Sequence, residues 1–275
     1  MSHSGKNYPH KSGAGAGAVA QDALADLFSQ AVDSGTLSTQ TSTLLTGDLG
    51  QVVIAGAAGV DAETIVSSDV TLITLLIDAS SSIGYRRLEK AVRDGYGLLL
   101  DALGESRERD SVLVALWLFN HTQKVVHSYV PIIDATRLDG RTYRTSGATC
   151  LYDTWCDALL ANVAYAEKLR ATGTPCRSVV VVLTDGEDTS STRDAKACQA
   201  LSRDLLASEQ FVLAFVGVGD EADFRQVARA MGVPEGSIEV QRDATPHALR
   251  QAFQLVSQSA IRASQGQLGA TSFFA

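Results

Sequence analysis

Three observations predict a doubly wound α/β fold for this chain. Beyond residue 65, short apolar runs of strand length alternate with longer stretches of helical periodicity. The longest apolar run, 112–119, is itself strand-sized, and turns bearing hydroxyls and carboxylates follow the carboxyl ends of two of the runs. The sheet is expected to be mostly parallel, with one antiparallel edge strand and helices on both faces.

The elements follow in chain order. Residues 1–17 end in the alternation Gly13-Ala14-Gly15-Ala16-Gly17 and lack the apolar payload to offset their ordering entropy, so they read as a flexible arm. From residue 18 to 32, Ala20, Leu24, Leu27, Phe28 and Ala31 share one helical face, and Gly35 sits where a helix ends. A short helix is expected near 37–45. The glycine-containing stretch 51–60 reads as a strand or a close-packed segment. Together, 18–65 form a helical extension.

The α/β domain is expected over 66–264. Residues 72–77 are a buried strand, and 85–103 a helix with Leu88, Ala91, Val92, Tyr96 and Leu99 on one face. Two strands, 112–119 and 125–130, are close enough to form a hairpin through Asn120-His121-Thr122. A helix at 150–171, a strand at 179–183, a helix at 193–208 and a strand at 211–218 come next. A short helix near 222–231, a strand at 238–240 and a helix at 246–263 complete the domain. The tail, 265–275, closes on Phe273-Phe274, expected as a loosely docked end.

Composition excludes several classes. With 23 Lys plus Arg against 31 Asp plus Glu, the net charge of −8 offers no cationic face for phosphates, so nucleic acid is not an expected partner. No run approaches the roughly 18 apolar residues of a membrane span, and no apolar segment follows the N-terminus as in a signal peptide. A cytoplasmic protein without a membrane partner is the expectation. Cys150, Cys156, Cys176 and Cys198 show no CxxC spacing and read as reduced thiols.

Three segments carry the chemistry. Asp78-Ala79-Ser80-Ser81-Ser82 puts a carboxylate and two hydroxyls, on Ser80 and Ser82, in one turn after the first strand. Gly147-Ala148-Thr149 opens a helix and adds a hydroxyl, and Leu183-Thr184-Asp185-Gly186 adds a carboxylate at the end of another strand. In doubly wound sheets such strand ends meet at the switch point of strand order. Two carboxylates and three hydroxyls form an all-oxygen donor set, which suits hard divalent cations.

The chain here resembles a von Willebrand factor A domain with a metal-ion-dependent adhesion site. That family's DxSxS motif matches Asp78, Ser80 and Ser82, its separate threonine matches Thr149, and its later aspartate matches Asp185. The segments Gly147-Ala148-Thr149-Cys150-Leu151-Tyr152-Asp153 and Leu183-Thr184-Asp185-Gly186-Glu187-Asp188 are similar to those of intracellular prokaryotic members. The resemblance implies a Rossmann-like domain and a non-enzymatic protein-binding module. It implies Mg2+, with Mn2+ or Ca2+ as alternates, contacted by Ser80, Ser82 and Thr149, with Asp78 and Asp185 nearby or acting through water. A partner protein would bring an Asp or Glu to the ion, and the resemblance suggests an AAA+ ATPase or a stress- or defence-cluster protein, intracellular members of the family serving beside such ATPases, in metal chelatases or in bacterial stress and defence clusters.

Two other readings of the residues compete with this one. A haloacid-dehalogenase-like phosphatase would need a second aspartate two positions after Asp78, where this chain has Ser80. A structural or assembly protein would bind through residues 1–65 instead. Of the remaining polar residues, Glu187 and Asp188 read as solvated loop acids, and Asp153 as a helix-dipole acid. His121 and His127 read as surface residues, and Trp117 and Trp155 as core. Arg141 and Arg144, on the loop 132–146, could meet an acidic partner.

Overall fold

The computed structural model describes residues 14–45, 50–220, 222–267 and 272–274. Its six strands are β1 (Val70–Asp78), β2 (Val112–Phe119), β3 (Gln123–Pro131), β4 (Cys176–Thr184), β5 (Phe211–Val218) and β6 (Ile238–Gln241), ordered β3-β2-β1-β4-β5-β6. Every neighbouring pair is parallel except the hairpin β2–β3, whose strands are antiparallel. Strand order reverses between β1 and β4, so the carboxyl ends of these two central strands frame the switch point.

The strands are continuous apolar runs because both faces are covered. All nine residues of β1 and all eight of β2 and of β5 are buried. Leu76, Val180, Val182, Leu213 and Phe215 point into one core, and Ile73, Leu75, Ile77, Val179 and Val181 into the other.

Helices α5 (Glu89–Glu105) and α9 (Pro246–Ser264) cover the second face. In α5 the expected stripe is buried: Ala91, Val92, Tyr96 and Leu99 face the sheet and α9. The first face is covered by α6 (Leu151–Ala171), α7 (Ala195–Ala207) and α8 (Phe224–Ala230).

Helix α6 is buried around nearly its whole circumference, because the N-terminal helices α1 (Ala14–Asp33) and α3 (Gln51–Gly56) lie over its far side, while α2 (Thr39–Leu45) packs on α7. Leu24, Leu27, Phe28 and Ala31 of α1 and Val53 of α3 join the same core as Trp155, Leu159 and Val163 of α6. A buried polar chain registers α6 on the sheet. Asn162 Nδ2 donates to Thr74 Oγ1 at 3.1 Å and its Oδ1 accepts from Ser178 Oγ at 2.6 Å, while Thr74 Oγ1 also meets the Tyr129 hydroxyl at 2.8 Å.

Some elements differ from the sequence-based expectation. Ala14–Gly17, assigned to the arm, lie within α1, and residues 1–13 fall outside the described residues. The stretch expected as a strand or close-packed segment begins with the helix α3, and close packing is its reason. A Cβ on Gly56 would lie 2.1 Å from the Trp117 ring and 2.8 Å from Ala161, so only glycine lets α3 sit this low. His127, expected at the surface, is partly buried on β3, where burial depresses its imidazole pKa to about 4.

The described end of the tail, residues 272–274, is docked, not loose. Phe273 is fully buried in the second core, its backbone N–H donates to Ser237 Oγ at 3.1 Å, and the Phe274 N–H donates to the Gly236 carbonyl. Truncating Phe273 to alanine should therefore cost about 3 kcal/mol or more, as for other buried aromatic deletions. Urea unfolding would read this as a lower midpoint at unchanged slope.

Candidate functional site

The site is built where β1 and β4 end. Asp78 is the last residue of β1 and is fully buried. Its Oδ1 accepts the backbone N–H of Ser80 at 2.7 Å, and its Oδ2 accepts Thr184 Oγ1 from the end of β4 at 2.6 Å. Thr184 Oγ1 in turn accepts the Gly186 N–H, so the two strand ends are tied through one carboxylate.

Ser80 is the N-cap residue of the single-turn helix α4 (Ser81–Tyr85) and is also buried. The Ser80 and Ser82 hydroxyls lie 2.9 Å apart, and Ser82 Oγ donates to Asp185 Oδ1 at 2.6 Å. Ser82 itself is half-buried, whereas Asp185 behind it is 1 % exposed. Asp78, Ser80, Ser82 and Asp185 thus form one hydrogen-bonded set.

Thr149 reaches the same crevice from the loop before α6. Its Oγ1 lies 3.9 Å from the place a Cβ on Gly186 would occupy, directly opposite the Asp185 turn. Its backbone is clamped by that turn's continuation. The Thr149 N–H donates to Thr189 Oγ1 at 2.9 Å, and its carbonyl accepts the Thr189 and Ser190 N–H groups. Two further backbone bonds, Ser81 N–H to the Gly147 carbonyl and Ser146 N–H to the Ala79 carbonyl, lace this loop to the first turn. All five residues singled out in the sequence are therefore brought together at the carboxyl ends of β1 and β4.

Several residues that organise the site carried weaker sequence signals or none. Tyr143, fully buried, donates its hydroxyl to the Asp78 carbonyl at 2.6 Å and pins the loop before Thr149 beneath the site. Thr184 stood inside a motif without an assigned role. Asp188 is not the solvated acid expected: its Oδ1 accepts the Tyr152 N–H at 3.2 Å and Ser191 Oγ at 2.5 Å, satisfying a donor in the first turn of α6. Asp153 similarly accepts the Thr192 and Arg193 N–H groups, at 2.8 and 2.9 Å, joining that helix to the loop before α7. Glu187, Arg141, Arg144 and His121 are exposed.

The charge balance is uneven. Burial pushes the Asp78 carboxyl up to about 6, against the pull of hydrogen bonds from Thr184 and Ser80 and with a smaller push from the Asp185 charge. Among the described residues no cluster of three or more His, Cys, Asp or Glu is placed to hold a metal ion. The donors gathered here are hydroxyls and carboxylates instead. Such an oxygen-only set is chemically suited to a hard divalent cation and poorly suited to a soft one.

Fold and site together define an α/β protein that gathers oxygen donors at the switch point of its sheet. The von Willebrand factor type A domain model matches residues 73–255, about two thirds of the chain, and the protein belongs to that family. The pilus adhesin SpaC from Lactobacillus rhamnosus GG, in its open conformation, is similar in structure at 15% identity and a TM-score of 0.53, over 71% of this chain and 30% of that one. Proximal thread matrix protein 1 from the mussel byssus, with a zinc-occupied MIDAS motif, aligns at 18% identity and a TM-score of 0.48, over 70% of this chain and 46% of that one. The PilB minor pilin from Streptococcus sanguinis, as a D319A mutant, aligns at 12% identity and a TM-score of 0.49, over 74% and 65%. This chain spans about a third of the length of SpaC and under half that of the mussel protein. No curated protein matches it in sequence. Among the described residues no helix is long and apolar enough to cross a membrane.

The buried Asp78 has a thermodynamic signature. Its folded pKa of about 6 exceeds the unfolded value near 3.8, so between these values the folded state holds more protons and stability falls as pH rises. In the metal-free protein, with chelator present, Asp78→Asn should remove this dependence. The variant should match wild type near pH 4 and exceed it by up to about 3 kcal/mol above pH 7, read by urea unfolding across pH.

Proposed function

We propose that the protein is a divalent-metal-dependent protein-binding module in which Mg2+, with Mn2+ or Ca2+ as alternates, is held by Asp78, Ser80, Ser82, Thr149 and Asp185. Ser80, Ser82 and Thr149 would face the ion, with Asp78 and Asp185 behind them or linked through water. The observation that carries this reading is the chain of contacts from Ser80 through Ser82 to Asp185, with Asp78 buried beneath it. Hydroxyls and carboxylates kept this close, under a carboxyl that burial disfavours as an anion, are what a cation would stabilise.

A bound cation would supply the positive charge that an Asp or Glu of a partner protein meets. The chain's own part is to hold the donors and limit their negative charge. Two carboxylates leave a divalent ion incompletely neutralised once hydroxyls fill other positions, which favours an anionic sixth ligand. We assign no catalytic step, since Ser80 stands where a phosphatase of the haloacid-dehalogenase kind needs its acid and base.

Helices α1 and α3 pack their apolar residues on α6, and α2 packs on α7, which supports reading them as scaffold and the strand ends as the binding surface. The partner classes that fit are an AAA+ ATPase or a bacterial stress or defence protein acting in the cytoplasm. The four free cysteines agree with a reducing compartment.

Purified protein used as bait in host lysate should capture its partner in Mg2+, and release it in EDTA. Asp185→Ala and Thr149→Ala should each lower capture at least tenfold while leaving the unfolding midpoint near that of metal-free wild type. Capture indifferent to chelation and to both variants would move the binding surface away from this crevice.

A further inference from the structure

Beside the proposed metal ligands lies a cation of the chain's own. Arg86 follows Ser82 by one helical turn at the end of α4, where its backbone N–H donates to the Ser82 carbonyl at 3.0 Å. The next residue, Arg87, has a φ of 56°, an uncommon left-handed conformation for a side chain of this kind. That residue turns the chain from α4 into α5.

The guanidinium is seated by two further elements. Its Nε lies 3.7 Å from Asp185 Oδ2, with the Arg86 side chain 20% exposed and the Asp185 side chain closed to solvent. Below it, Gly219 follows β5 with a φ of +112°, and a Cβ there would come within 2.9 Å of Arg86 Nη1. The end of β5 is therefore kept free of a side chain where the guanidinium lies. One Asp185 oxygen accepts from Ser82, a proposed metal ligand, and the other faces Arg86.

Resting on the metal-binding reading above, we propose that Arg86 is a tuning residue that opposes the metal on its own and favours the metal together with a partner's carboxylate. A fixed positive charge beside Asp185 balances that carboxylate when no cation is present. It also repels an arriving divalent ion, because unit charges a few ångströms apart at a half-buried site interact appreciably. An incoming carboxylate reverses this, being attracted by both the ion and the guanidinium, whose fork of donors suits carboxylate geometry. Metal and partner are thereby coupled: the ion alone binds weakly, and the complex binds well.

The test uses Mn2+ alone as the probe, titrated calorimetrically into the full chain as wild type, Arg86→Gln, Arg86→Met and Arg86→Lys, with thermal midpoints recorded for each. Both neutral variants should bind Mn2+ about five- to tenfold more tightly than wild type, and the lysine variant should stay within about twofold of it. Mn2+ affinity that is unchanged or weaker in folded neutral variants, with wild type binding normally, would overturn the role of Arg86 and leave the metal site standing. Wild type and all variants failing to bind Mn2+ would overturn both.

Discussion

A carboxyl group buried from solvent is the constraint on which this structure turns. Asp78 ends a strand that is buried along its whole length, at the point where the sheet reverses its strand order. Burial there works against the charge, and the fold answers with a backbone N–H from Ser80 and a hydroxyl from Thr184. The Thr184 bond also ties the end of β4 to the end of β1. A group whose charge burial disfavours thus organises the site, a pattern common where stability is given up for function.

The surroundings keep the donors from relaxing apart. The loop before α6 is bonded to the first turn through Ser81 and Ser146, to the third through Thr189 and Ser190, and from below through Tyr143. Asp188 and Asp153 then join the start of α6 to the loop leading into α7. Because α6 is covered by the sheet on one side and by α1 and α3 on the other, the helix that follows Thr149 is a rigid post. The N-terminal helices therefore contribute to the site through packing and not by contact with it. Arg86 adds a positive charge beside Asp185, next to a glycine that follows β5.

Much of this was legible in the sequence because the signals were local. The strands 112–119 and 211–218 coincide with β2 and β5, since an apolar run covered on both faces has no competing period. Ser80, Ser82, Thr149 and Asp185 could be gathered because each stands in a turn at a strand end or helix start. Thr184, Tyr143 and Asp188 could not, since their roles are contacts made across 106, 65 and 36 residues of chain. Of the two readings open for 51–60, strand or close packing, the structure bears out close packing, with Gly56 against the Trp117 ring, on a helix and not a strand. Phe273 looked like a loose end because nothing near it in sequence reveals the core cleft it fills.

The central claim is that the crevice between β1 and β4 holds a divalent cation. Anomalous diffraction from crystals of the full chain soaked in Mn2+ tests it most directly. The account predicts one strong anomalous peak within coordination distance of the Ser80, Ser82 and Thr149 hydroxyls. A crevice without a peak, at Mn2+ concentrations that label other oxygen sites in the same crystal, would contradict it.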